Sequence, residues 1–256
     1  PTVEGLYAMA PSFFDPFTKS DGSTLSFIEF ISLMGWGLGY FGQPHILVRF
    51  MAISSSRELK QATRIAMTWV AISLSAAVIV GLVGKVYLTV PLSGTDCETV
   101  FLVMTHMIFS PFAAGIILSA VLAAIMSTAS AQLLVAASAF AQDFYHTLLQ
   151  KDAGTKELVW VSRLSVLIIA AIAIGLGLNP QNLILDIVAY AWAGFGAAFG
   201  PALLASLFWR RTTRNGILAG IVTGGITVLL WKQFSLWGLY EIIPGFFVAS
   251  LAIFIV

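Results

Sequence analysis

Several apolar stretches of this sequence are long enough to cross a lipid bilayer, and they leave few other folds open. A helix needs roughly 20 mostly apolar residues to span the hydrocarbon core, and residues 65–90, 113–141 and 183–209 all reach that length. Only 10% of the 256 residues are charged, whereas a soluble domain carries about 25%. Because hydrocarbon offers the backbone no hydrogen-bond partners, we expect an all-α polytopic membrane protein surrounded by the lipid bilayer.

Polar turns divide the apolar stretches into seven predicted spans. Residues 1–24 contain the turn signals FDP and SDGS and are expected to form an extracellular or periplasmic loop. Residues 99–112 are apolar but too short for a span, so we expect a helix there that does not cross. The run NPQN at 179–182 predicts a tight turn. The transmembrane domain, residues 25–256, is predicted to contain spans at about 25–53, 65–90, 113–141, 158–178, 183–209, 216–231 and 240–256.

Lysine and arginine are concentrated in alternate loops. Ten of the thirteen follow the first, third or fifth span or, in the case of Arg49, lie near the end of the first. Positive charge marks the cytoplasmic loops of membrane proteins. Residues 1–24 are therefore expected outside the cell, with the first span running inward.

Other function classes lack the residue patterns that they need. A net charge of +1 gives no sign of a nucleic-acid partner. The single cysteine, Cys97, cannot form an internal disulfide, and no cysteine–histidine spacing suggests a metal site. The sequence also lacks a recognisable nucleophile–base pair, phosphate loop or pair of catalytic carboxylates. It therefore points away from an enzyme and away from nucleic acid.

The first span contains the unusual run GWGLGYFGQPH at residues 35–45. Proline removes a backbone donor and glycine weakens a helix, so the run predicts a break within the span. Transporters use such broken helices to hold substrates near the middle of the membrane. Trp36 and Tyr40 could cover an apolar ring or meet an amine through their π-faces, and exposed amides near Phe41 and Gly42 could bind a carboxylate. The alternative is a packed proline kink whose glycines permit close approach.

The third span contains the run AAIMSTASAQLLVAASAF. Ala124, Ser127 and Thr128 are spaced i, i+3 and i+4 and therefore lie on one helix face. The two hydroxyls and the Ala124 carbonyl could give uncharged oxygens to a small hard cation. The alternative is ordinary helix packing, because small and hydroxylated residues are common at helix–helix contacts.

The fifth span carries LDIVAYAWAGFGAAFGP. Its glycines, at positions 194, 196 and 200, together with Pro201 predict close packing and a bend. Tyr190 and Trp192 could line a vestibule. Asp186 is an ionisable residue near the outer end of the span, so it is either functional or simply solvated.

Four long motifs resemble the sodium:solute symporter family. They are GWGLGYFGQPHILVRFMA, AAIMSTASAQLLVAASAFAQDFYH, AYAWAGFGAAFGPALLASLFW and LYEIIPGF, in the family's order. The resemblance implies the inverted five-helix repeat shared with leucine-type transporters. The first five spans would then form the second repeat, opening with its broken helix, and further helices would follow.

The resemblance also implies a function and a set of site residues. Ser127 and Thr128 match sodium-coordinating hydroxyls of the family, and Ala124 matches a carbonyl ligand. Trp36 and Tyr40 match aromatic residues associated with proline binding. The expected activity is symport of L-proline into the cell across the plasma membrane, with the sodium ion as the coupling ion.

Two alternatives and one expectation about extent accompany this interpretation. The solute could instead be another amino acid, pantothenate or a carboxylate, or the chain could be the symporter-like membrane domain of a sensor histidine kinase. The sequence begins without methionine and ends within the apolar run FFVASLAIFIV. We therefore expect a piece of a longer chain, with the first repeat and the last helix outside it.

Overall fold

The computed structural model describes residues 15–19, 22–88, 90, 92–178, 183–234 and 236–256. The turn predicted at 179–182 and most of the loop predicted at 1–24 lie outside these residues. Within them the regular elements are helices, apart from one isolated bridge between Thr18 and Thr24. The structure confirms the all-α class. The inverted repeat stays a prediction.

The helices follow one another along the chain with short connections. Among the described residues nine are α-helices, numbered here in chain order, and the others are 3-10 or π-helices. The α-helices are α1 Phe27–Gly35, α2 Pro44–Met51, α3 Leu59–Tyr87, α4 Val100–Ile108, α5 Pro111–Ser138, α6 Thr155–Gly177, α7 Ile184–Phe208, α8 Arg214–Phe234 and α9 Ile242–Ile255. The 3-10 helices are Trp36–Gly42, Gly94–Thr99 and Leu236–Gly238, and a π-helix, Ala139–Leu149, continues α5.

In the part of the chain that the structure describes, five helical stretches are long and apolar enough to cross a membrane: α3, α5 with its π-helical continuation, α6, α7 and α8. Their apolar side chains are largely exposed, and none of the most apolar window of α3 is buried. Such surfaces are stable against lipid chains rather than water. Helix α4 has nine residues and measures about 13 Å at 1.5 Å per residue, too short to cross. The seven-span map stays a prediction.

The chain forms two compact units, one from the described parts of Pro1–Pro91 and Ile184–Val256 and the other from Leu92–Leu183. In the first unit α7, α8 and α9 pack closely around Ala193, Ala197, Val228 and Ile242. Small residues bring these helices together: a Cβ on Gly224 would lie 2.5 Å from the Ala197 carbonyl oxygen. Close backbone approach of this kind is typical of helix packing in membranes.

The glycines of α7 divide into two groups. A Cβ on Gly196 would lie 2.7 Å from the Cα of Gly39, and one on Gly200 would lie 2.7 Å from the Phe246 ring. The predicted close packing is confirmed at these two positions. It is wrong at Gly194, where a Cβ would have nothing within 4 Å.

In the second unit α5 packs against α6. The connection between them is closed by the Tyr145 hydroxyl, which donates a 2.6 Å hydrogen bond to the Glu157 carboxylate. This bond ties the π-helix to the first turn of α6.

Candidate functional site

The structure confirms the predicted break in the first span. Helix α1 ends at Gly35, a 3-10 helix follows over Trp36–Gly42, and Gln43 takes an extended conformation with φ −86° and ψ 110°. Pro44 then opens α2. A proline is well suited to the first position of a helix, because its missing N–H has no intrahelical partner to lose there.

Two hydrogen bonds join the break to α7. The indole Nε1–H of Trp192 donates a 2.9 Å hydrogen bond to the carbonyl of Trp36. In return, the side-chain amide of Gln43 donates a 3.3 Å bond to the Trp192 carbonyl, and Gln43 is only 4% exposed. The first bond gives the Trp36 carbonyl a partner from outside its own interrupted helix, and the second attaches the buried Gln43 side chain to α7.

Glycines allow the break to lie directly on α7. A Cβ on Gly39 would overlap the Trp192 indole, and a Cβ on Gly42 would overlap the carbonyl oxygen of Phe195. The close approach proposed for these glycines is therefore confirmed. This packing also explains the position of Trp192, which the sequence suggested only as a residue lining a vestibule.

Four aromatic side chains meet at the break. Trp36 and Trp192 are stacked with ring centroids 5.4 Å apart, and Tyr40 meets Trp192 edge-on at 4.9 Å. Tyr240 stacks on Trp36 at 6.4 Å and donates a 2.7 Å hydrogen bond to the Ala189 carbonyl. The sequence suggested Trp36 and Tyr40 but missed Tyr240, whose position 200 residues later gives no periodic signal.

The cluster leaves part of its aromatic surface free. Tyr40 is 51% exposed and Phe41 41% exposed, whereas Gly42 is buried. In the first turn of α2, just after Gly42, Pro44 has no N–H and the Ile46 N–H donates a 3.1 Å bond to the Gln43 carbonyl. The break therefore presents exposed aromatic rings next to the start of α2.

The three residues predicted to bind a cation lie on α5 in the second unit. Ala124, Ser127 and Thr128 are all exposed there. The Thr128 hydroxyl donates a 3.3 Å hydrogen bond to the Ala124 carbonyl, so two of the three oxygens are already neighbours. The described residues contain no cluster of three or more His, Cys, Asp or Glu side chains suited to a metal. Any cation bound on this face would meet uncharged oxygens.

Comparison with known proteins identifies the family. The model of the family described as "Sodium:solute symporter family" matches residues 2–224. The chain belongs to the sodium:solute symporter family. In this chain, the motif at residues 35–52 forms the break and α2, and the motif at 123–146 forms much of α5 and its π-helical continuation.

Several relatives of this chain are named as proline transporters. The sodium/proline symporter of Escherichia coli (strain K12) is 54% identical over 234 residues, which cover 90% of this chain and 47% of that protein. The osmoregulated proline transporter of Bacillus subtilis (strain 168) is 47% identical, with 98% and 51% covered. The high-affinity proline transporter of the same strain is 46% identical, with 100% and 53% covered. The chain spans about half the length of these curated relatives.

Proposed function

We propose that the complete protein carries L-proline into the cell together with sodium ions. The observation that carries this proposal is the 46–54% identity of the chain to proteins named as proline transporters. Because the chain spans about half of each relative, the activity is assigned to the complete protein. The complete protein is located in the plasma membrane.

Proline is assigned to the break of the first span. The exposed face of Tyr40, with the surface of Trp36 that its stacked neighbours leave accessible, would cover the pyrrolidine ring, and the π-electrons of Tyr40 would attract the secondary ammonium. The backbone amides around Phe41 and Gly42, at the start of α2, would receive the carboxylate, since a helix start favours negative charge. The exposed rings and the buried, glycine-lined break support this assignment.

Sodium is assigned to the α5 face. The Ala124 carbonyl and the hydroxyls of Ser127 and Thr128 are the neutral oxygen ligands that a hard monovalent cation accepts. The 3.3 Å bond between Thr128 and Ala124 supports the assignment because it holds two of these oxygens together. Rotation of the Thr128 O–H toward another acceptor would free both oxygens for the ion.

Coupling follows from reciprocal binding. If sodium raises the affinity for proline by some factor, proline must raise the affinity for sodium by the same factor. Sodium on the α5 face would thereby favour the outward-open form that admits proline, and rocking of the helices would open the site inward.

Uptake into vesicles tests the proposed function. The complete protein, reconstituted in liposomes, should accumulate labelled L-proline when a sodium gradient is imposed and should not when potassium replaces sodium. Unlabelled pantothenate, carboxylates and other amino acids, added in excess, distinguish the solute. Uptake that is independent of sodium, or that another solute abolishes more strongly than proline does, would contradict the proposal.

A further inference from the structure

A cavity of about 230 Å³ lies in the first unit where the chain passes from α8 to α9. We call it the Glu241 cavity. The predicted orientation of the spans puts it on the outer side of the membrane. Residues that line it include Ser32, Trp231, Lys232, Leu239, Tyr240 and Glu241.

The cavity contains a carboxylate oxygen with an unmet requirement. Glu241 is 6% exposed, and its Oε1 atom is buried without a hydrogen-bond partner among the described residues. The Lys232 ammonium forms an ion pair with Oε1 at 3.8 Å, a distance that is too long for a hydrogen bond. A buried carboxylate oxygen without a donor is unfavourable, so the cavity offers a strong acceptor to a ligand.

Other polar groups around the cavity have partners within the protein. The Ser32 hydroxyl accepts a 3.0 Å bond from the backbone N–H of Tyr240. The Trp231 indole donates a 3.1 Å bond to the Leu239 carbonyl. These bonds fix the wall, and they leave Glu241 as the group that a ligand would satisfy.

We propose that the Glu241 cavity binds a small zwitterionic amino acid, with its ammonium toward Glu241 and its carboxylate toward Lys232. A simple cation would approach Glu241 against the charge of Lys232, and a simple anion would meet the buried carboxylate. A zwitterion can donate a charge-assisted hydrogen bond to Glu241 and at the same time bring its carboxylate toward the positive charge of Lys232. The choice of proline as the ligand rests on the proposed function.

Size and position agree with this ligand. The cavity has the volume of roughly eight molecules of liquid water, and proline has a matching number of non-hydrogen atoms. Tyr240 lines the cavity and also stacks on Trp36 at 6.4 Å. An amino acid in the cavity would thus lie against Tyr240, a member of the aromatic cluster of the break. The cavity would hold proline on its way to that cluster.

Equilibrium binding of labelled L-proline to the complete protein in lipid nanodiscs, at saturating sodium, tests the proposal. Glu241→Gln keeps the shape of the side chain and removes its charge. We expect it to lower the affinity of the cavity for proline about tenfold or more. At a proline concentration that just fills both sites of the parent, the amount of bound proline should then fall by about half. Lys232→Met should act in the same direction. Asp96→Asn is the matched control, because Asp96 is exposed in the 3-10 helix Gly94–Thr99, and it should bind as the parent does.

Each outcome decides the matter. If the parent binds proline and the Glu241→Gln protein binds the same amount with the same affinity, the cavity is not a proline site. If Glu241→Gln lowers binding of labelled sodium and leaves proline unchanged, the cavity binds a cation and the zwitterion is wrong. A parent that binds no proline would overturn the proposed function as well, so the two failures are distinguishable. If size-exclusion chromatography shows that the Glu241→Gln protein does not fold, Lys232→Met is measured instead, because Lys232 is half-exposed.

Discussion

Trp192 makes both hydrogen bonds and aromatic contacts at the break. Its indole N–H holds the Trp36 carbonyl, its own carbonyl accepts from Gln43, and its ring touches two other aromatic rings. It contributes both polar and apolar contacts because an indole is a flat apolar body with one donor. We regard it as a positioning residue for Trp36 and Tyr40.

Replacing Trp192 by Phe separates these contributions. Trp192→Phe retains an aromatic face and deletes the donor to the Trp36 carbonyl, which costs about 1–3 kcal/mol. We expect the concentration of proline for half-maximal uptake to rise about fivefold or more, with sodium dependence unchanged. Trp69→Phe, at an exposed position on α3, is the control. An unaltered proline dependence in Trp192→Phe would remove the positioning role.

The hydroxyls of α5 carry a prediction about sodium. Ser127→Ala and Thr128→Ala each delete one proposed oxygen ligand, so the sodium concentration for half-maximal uptake should rise several-fold in each. Ser119→Ala removes a hydroxyl from the same helix that bonds to the Gly115 carbonyl, and it should leave the sodium dependence as it is. Uptake measured across a sodium series checks all three. Normal sodium dependence in both of the first two variants would rule out the α5 face.

Tyr40 carries a prediction about the solute. Tyr40→Ala removes a half-exposed ring that proline would use, and a cation–π contact of this kind is worth about 0.5–2 kcal/mol. Proline affinity should fall several-fold while sodium binding changes little. Tyr40→Phe keeps the ring against Trp192 and should retain most of the affinity. If Tyr40→Ala takes up proline as well as its parent, Tyr40 lies outside the site.

At the scale of elements, the break could be predicted from sequence and its partner could not. Glycines and Pro44 within an apolar run are a local signal, because each acts on its own backbone. The partner is α7, about 150 residues later, and Gln43 and Trp192 meet only because the two helices pack together. The α5 face is local again: the spacing of Ala124, Ser127 and Thr128 predicts a shared face, but which other oxygens complete an ion's shell depends on residues far along the chain.

The packing of the 3-10 helix on α7 gives a test with a control two residues away. Gly39→Ala would force a methyl group into the Trp192 indole, and overpacking costs about 1–3 kcal/mol. Gly37→Ala meets nothing within 4 Å and should be tolerated. Thermal unfolding in detergent, followed by size exclusion, should show a lower midpoint for Gly39→Ala alone. Equal midpoints for the two variants would mean that the indole moves aside freely.

At the scale of the whole molecule, hydropathy predicted where helices lie but not how they group. Helices α4, α5 and α6 fall together in the second unit, and the other described α-helices belong to the first unit. Apolar length marks a helix without naming its neighbour, since lipid and protein are equally apolar surroundings. The order of the spans across the membrane rests on the loop charges alone and is still a prediction.

Cys97 offers a direct test of that order. It is exposed, within the 3-10 helix Gly94–Thr99, on the connection expected outside the cell. With any other cysteines of the complete protein replaced, a membrane-impermeant maleimide should label Cys97 in intact cells. A cysteine introduced by Asp152→Cys, in a connection expected inside, should react only after the membrane is opened. Labelling with the opposite preference would invert the predicted topology.

The stacked indoles at the break have an optical consequence. Trp36 and Trp192 lie nearly parallel, with 16° between their planes and 5.4 Å between their centres, close enough for their electronic transitions to couple. Coupled transitions give paired bands of opposite sign in circular dichroism, and their strength depends on the angle between the rings. A ligand that slides against Trp36 would change that angle. The spectrum of the unlabelled protein should therefore register each loading and release of the substrate.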